Sequence, residues 1–143
     1  MFKIPSTPLE QINLKEGLSS SESGAFICFE GLVRNYNEGK EVIALEYEAH
    51  ETLCQNEAQK IFQETRSKFN IINVKCFHRV GKLAIGEMAV WVAVTAAHRD
   101  DAFKACRYVI DELINKIKEE YSSAIVHEFE NPEKHIVFAL PKF

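Results

Sequence analysis

Met88-Ala-Val-Trp-Val-Ala-Val94 is apolar at every position, the composition expected of a strand covered on both faces. The run extends over Glu87 to Ala96. His98 to about Glu120 then reads as a long helix, with Ala102, Phe103, Cys106, Val109, Ile110, Leu113 and Ile117 on its apolar face. Asp100 and Asp101 fall in its first turn, where carboxylates suit the positive end of the helix dipole. Upstream, Ile71 to Val80 is a second β-rich run. It is separated from the first by Gly81-Lys-Leu-Ala-Ile-Gly86, which reads as a turn or bulge framed by two glycines. Glu51 to Phe69 repeats Leu53, Cys54, Ala58, Ile61, Phe62 and Phe69 at helical spacing, and so predicts an amphipathic helix.

Further towards the N-terminus, Gly24 to Val33 is rich in aromatic and β-branched residues and predicts a strand. Asn35 to Lys40 supplies the Asn and Gly residues of a loop, and Val42 to Tyr47 alternates as a return strand. Residues 1–23, with Pro5, Pro8 and Ser19 to Ser21, read as a surface arm with one short strand around Glu10 to Leu14. Ala124 to Phe129 and His135 to Leu140 read as two short strands, with Asn131 to Lys134 as the turn between them. The order β-β-α-β-β-α-β-β predicts one α+β domain over residues 1–143, built on a mostly antiparallel sheet with two long helices.

The chain has 143 residues, 46% apolar and 27% charged, with a formal net charge of −4. That balance is ordinary for a soluble globular protein long enough to bury a core without disulfides or metal. Acidic and basic residues are interspersed, which argues against nucleic acid as a partner. There is no apolar run of membrane-spanning length and no signal pattern at the N-terminus, so a cytoplasmic location and no membrane association are expected. Cys28, Cys54, Cys76 and Cys106 each lie in an apolar-periodic segment and form no CxxC pair. They read as buried small hydrophobes, and a zinc site is not expected.

Three places could carry chemistry. Arg34 follows a strand at the start of a loop, where a guanidinium can fork onto phosphate or carboxylate; a surface Arg beside a hairpin would look the same. His98-Arg99 stands at the start of the second helix, where free N–H groups favour an anion; a capping pair without a ligand would also fit. His78-Arg79 closes a strand before a glycine turn and reads as packing or a salt bridge. No Walker loop, dinucleotide fingerprint or nucleophile elbow is present.

Phe29-Glu-Gly-Leu-Val-Arg-Asn35 with Gly39, Val42 and Leu45-Glu-Tyr-Glu-Ala49, then His78-Arg-Val-Gly-Lys-Leu83 with Gly86-Glu87, then Val94-Thr-Ala-Ala-His-Arg99 with Ala102-Phe103 and Ile110-Asp111, form three ordered blocks. Together they resemble the large, catalytic subunit of molybdopterin synthase from about Gly24 to Leu113. The resemblance implies that family's fold and its reaction, the sulfuration of cyclic pyranopterin monophosphate (precursor Z) to molybdopterin in molybdenum cofactor biosynthesis. It implies a ubiquitin-like small-subunit partner carrying a thiocarboxylate on its C-terminal Gly-Gly, and a homodimer within a heterotetramer. No metal or diffusible cofactor is implied. Arg34, His98 and Arg99 match positions lining the anionic substrate pocket, and Glu128 matches a glutamate on the C-terminal side.

The same comparison implies two lysines that this chain lacks. Ile114 stands at the first position and Val126 at the second, with no Pro or Trp in the adjoining segment. Lys118, four residues after Ile114, shares its helix face and is the candidate for a relocated amine. Two readings follow from the resemblance: a sulfurtransferase with a moved lysine, or a family member impaired in catalysis that binds an anion or a partner.

Overall fold

The computed structural model describes residues 1–37, 40–41, 44–120, 127–128 and 136–138, with side chains described over 1–36 and 44–115. The strands are β1 (Phe2–Lys3), β2 (Ala25–Leu32), β3 (Tyr36–Asn37), β4 (Lys40–Glu41), β5 (Ala44–Tyr47), β6 (Asn73–His78), β7 (Gly81–Ala84), β8 (Met88–Ala96), β9 (His127–Glu128) and β10 (Ile136–Phe138). The helices are α1 (Glu51–Lys68) and α2 (Arg99–Glu120). The chain is α+β and its strand pairs are mostly antiparallel, but the strands divide between two sheets. One has the order β1-β6-β8-β2, the other β7-β5-β10-β9, and β3 and β4 form a small ribbon. Among the described residues, only β1–β6 and β5–β10 pair in parallel.

Every residue of β8 is buried, and the packing explains why. On one face Val90, Val92 and Val94 meet Ala58, Ile61 and Phe62 of α1 and Ala105, Cys106 and Val109 of α2. On the other face Trp91, Ala93 and Met88 are covered by Leu9, Leu14 and Leu18 of the N-terminal segment. The expected surface arm is thus a structural layer. Instead of a strand over Glu10 to Leu14, it carries a 3₁₀ turn at Leu9–Gln11, and its strand is β1, paired with β6. The cause lies in β8: a strand apolar on both faces needs a cover on the side the helices leave open.

Gly81 to Gly86 also differs from expectation. Gly81–Ala84 is a strand paired with β5, because Leu83 is fully buried against Val33, Leu45, Tyr47 and Ala89. The turn narrows to Ile85-Gly86, with Gly86 at a positive φ of 86° that suits glycine. Both helices are rotated slightly from the predicted faces. Leu53 and Phe103 are exposed, while Glu57, Thr65 and Ala105 are buried. Thr65 tolerates this because its hydroxyl donates to the Ile61 carbonyl at 2.7 Å, and Glu57 pairs with Lys60 at 2.7 Å. Cys54, Cys76 and Cys106 are buried as expected, but Cys28 is exposed because it lies on an edge strand. The turn expected at Asn131 to Lys134, the side chain of Ile117, and Val126 lie outside what is described.

Candidate functional site

Arg34 is placed by its neighbour. Val33 donates its N–H to the Glu87 carbonyl at 2.9 Å and accepts from the Gly86 N–H at 2.7 Å, and its side chain is buried in the small core of the second sheet. With Val33 clamped, Arg34 leaves the end of β2 exposed, at the junction of the two sheets.

His98 and Arg99 are placed by the end of β8. The strand stops at Ala96, two residues turn the chain, and α2 begins at Arg99, with the His98 carbonyl accepting from Ala102 N–H at 3.3 Å. Both side chains are exposed. Gly24 lies against this turn. Its N–H donates to the Ala96 carbonyl at 3.0 Å, and a Cβ built on it would stand 2.1 Å from the Ala97 oxygen. Only glycine fits there.

The register of β2 on β8 decides what these residues can do together. It runs antiparallel from Ala25↔Ala96 to Leu32↔Met88. His98-Arg99 therefore lies at the Ala25 end and Arg34 at the Leu32 end, separated by about 25 Å of strand at 3.2–3.4 Å per residue. One copy of the chain does not bring the three residues into one pocket. The helix α2 turns back along the sheet, with the Cys106 thiol 3.9 Å from the Val92 carbonyl. Its last turns consequently lie at the Arg34 end. Ile114 is half-buried there, packed against the main core, and the backbone of Lys118 follows one turn on; the Lys118 side chain lies outside what is described. Glu128 is on β9, the outermost strand of the second sheet, in register with Ile136, whose other neighbour is Leu45.

His78 and Arg79 form a packed polar cluster. The His78 ring is buried edge-on to Tyr47 at 5.1 Å, with Nδ1 2.8 Å from the Arg79 carbonyl oxygen. Burial lowers its pKa to about 4, so the ring is neutral near pH 7. The Arg79 guanidinium pairs with the Glu87 carboxylate and donates to the Lys82 carbonyl at 3.0 Å. A hydrogen bond from the Ala84 N–H, then the Arg79 contacts, hold the Glu87 carboxyl below its ordinary value.

Sulfur chemistry on a protein thiol would need an accessible thiolate. Burial pushes the Cys76 thiol well above its ordinary value and the Cys106 thiol up to about 11. Among the described residues, no group of three or more His, Cys, Asp or Glu could hold a metal ion, and no helix is long and apolar enough to cross a membrane.

Two small sheets, two helices on one face of the first, and exposed cationic side chains at both ends of one ladder define an α+β protein. The family model described as MoaE protein matches residues 5–116, and the chain belongs to that family. It is 36% identical over 110 residues to the molybdopterin synthase catalytic subunit of Thermoplasma volcanium, covering 77% of this chain and 78% of that one. To the Bacillus subtilis protein of the same name it is 36% identical over 112 residues, covering 78% and 71%. The crystal structure of molybdopterin synthase from Staphylococcus aureus superposes with a TM-score of 0.70 at 31% identity, over 78% of this chain and 80% of that one. A complex of subunits 1 and 2 of the molybdopterin-converting factor from Helicobacter pylori shares the fold, with a TM-score of 0.63 at 17% identity, over 79% and 75% of the two chains.

Proposed function

We propose that this chain is a molybdopterin synthase catalytic subunit, acting in the cytoplasm on precursor Z with sulfur from the thiocarboxylated tail of a small ubiquitin-like subunit. The family match carries this reading, since it spans Arg34, His98 and Arg99 and relatives of that name share about a third of the sequence. The Helicobacter pylori complex supports a two-subunit assembly.

In this reading Arg34, His98 and Arg99 bind the anionic substrate. Since they stand at opposite ends of the β2–β8 ladder, the pocket forms between two copies of the chain. Arg34 of one copy faces His98 and Arg99 of the other, which is also why the active form is a homodimer. The guanidiniums and the α2 N-terminus hold phosphate. Lys118 supplies the amine that protonates or stabilises the reacting centre, and Glu128 lines the pocket from the second sheet.

The packing of Ile114 against the core favours a second reading. An isoleucine there contributes no amine, and without a substitute the rate falls roughly a hundredfold or more. The chain would then bind the anion or the partner without transferring sulfur. Single-turnover transfer separates the two, using precursor Z, the cognate thiocarboxylated small subunit, and Lys118→Ala beside a conventional family member. Product from the wild type and none from Lys118→Ala supports the enzyme with a moved lysine. Product from both discards Lys118 alone. No product, with the control active and the small subunit bound, establishes the binding protein.

A further inference from the structure

The pairing of β2 with β8 is regular from Ala25 to Gly31 and then slips. Gly31 stands opposite Val90, but Leu32 stands opposite Met88, so Ala89 is an extra residue on β8. A bulge of this kind bends the ladder and re-aims the side chains next to it. Arg34 leaves β2 just past the slip, with its side chain exposed.

Two sets of contacts hold the chain in this direction, and both lead back to Arg79. Its main-chain N–H donates to the carbonyl of Ala89, the extra residue, at 2.8 Å. Its side chain, only 9% exposed, pairs through the guanidinium with one oxygen of the Glu87 carboxylate. The other oxygen accepts from the Ala84 N–H at 3.1 Å, so the Glu87 side chain closes the turn at 84–87. That same turn grips Val33, through the Glu87 carbonyl at 2.9 Å and the Gly86 N–H at 2.7 Å.

We propose that Glu87, held by Arg79, is a positioning residue for Arg34. The ion pair fixes the turn, the turn fixes Val33, and Val33 fixes the main chain from which the Arg34 guanidinium reaches an anion. This rests on the reading of Arg34 as a substrate ligand and deepens it by naming what aims it. A guanidinium forks onto phosphate in a defined geometry, and holding it there beforehand lowers the ordering cost of binding. Loosening the turn therefore costs affinity although the cation itself is intact.

The test titrates precursor Z by calorimetry into wild type, Glu87→Gln, Arg34→Ala and the variant carrying both substitutions. Glu87→Gln is expected to weaken binding about tenfold, and to change nothing once Arg34 is alanine. A purely structural role would lower affinity equally in both backgrounds. Glutamine keeps an oxygen for Ala84 but strands the buried charge of Arg79. Arg79→Met combined with Glu87→Gln removes the pair whole and carries the same expectation. Amide hydrogen exchange gives a readout without substrate: in both variants Val33 and Gly86 are expected to lose more protection than Val92 and Val94 of β8. Unchanged affinity, an equal loss in the Arg34→Ala background, or a uniform loss of protection would each overturn the proposal while leaving Arg34 a ligand. A wild-type chain that binds no precursor Z would overturn the substrate reading, and this one with it.

Discussion

His78 shows how burial can outweigh a hydrogen bond in setting the behaviour of a titratable residue, since its contact with the Arg79 carbonyl acts in the opposite direction. Unfolded, an imidazole binds its proton near pH 6.5; folded, His78 binds it only near pH 4. Between those values the unfolded chain holds more protons, so stability falls as pH drops from about 6.5 to about 4 and is unaffected by this group at higher pH. Urea unfolding across that range is expected to show the decline, and His78→Gln to flatten it. The residue adjacent in sequence behaves differently. The buried Arg79 guanidinium is instead fully partnered on one side, pairing with the Glu87 carboxylate and donating a hydrogen bond to the Lys82 carbonyl, as burial of an ion requires. The His-Arg pair at 98–99 has no such enclosure, and its exposed position leaves it open to a ligand.

At the scale of elements, the N-terminal segment is held by its contacts with the sheet. Its 3₁₀ turn is short, and Leu9 is fully buried against the Trp91 face. Leu9→Ala is expected to cost about 2–5 kcal/mol and to wet Trp91. That residue is the chain's one tryptophan, so a red-shifted emission spectrum reports the opening directly. The long elements were legible in the sequence because their periodicity is strong: α1 over Glu51–Lys68, α2 from Arg99, and β8 over Met88–Ala96. Weaker signals misled. Leu9, Leu14 and Leu18 are spaced irregularly among Pro, Ser and charged residues, so nothing local showed that they cover a sheet. Gly81 to Ala84 looked like a turn because its glycines are conspicuous, whereas its strand character comes from pairing with the distant β5. Cys28 and Phe103 were assigned to buried faces by periodicity, which registers a face but not whether anything lies against it. The candidate cations were legible one at a time, but their separation was not, because it follows from the β2–β8 register.

At the scale of the whole molecule, the two sheets meet at Val33 and the chain places its exposed cations at opposite ends of the first. The substrate is held, in the proposed reading, by side chains that no single copy can bring together. Arg34→Ala and Arg99→Ala are both expected to fold normally, since both side chains are exposed, and to lose affinity for precursor Z, measurable by titration calorimetry.

The placement of Arg34 and Arg99 at opposite ends of one ladder has a genetic consequence. Two inactive alleles should complement each other. When Arg34→Ala and Arg99→Ala chains are co-expressed, each mixed dimer joins the intact Arg34 of one chain to the intact Arg99 of the other and leaves its second pocket doubly defective. With random pairing, about a quarter of the pockets are restored. Binding capacity recovered to that level would mark the pocket as shared, and none recovered would return it to a single chain.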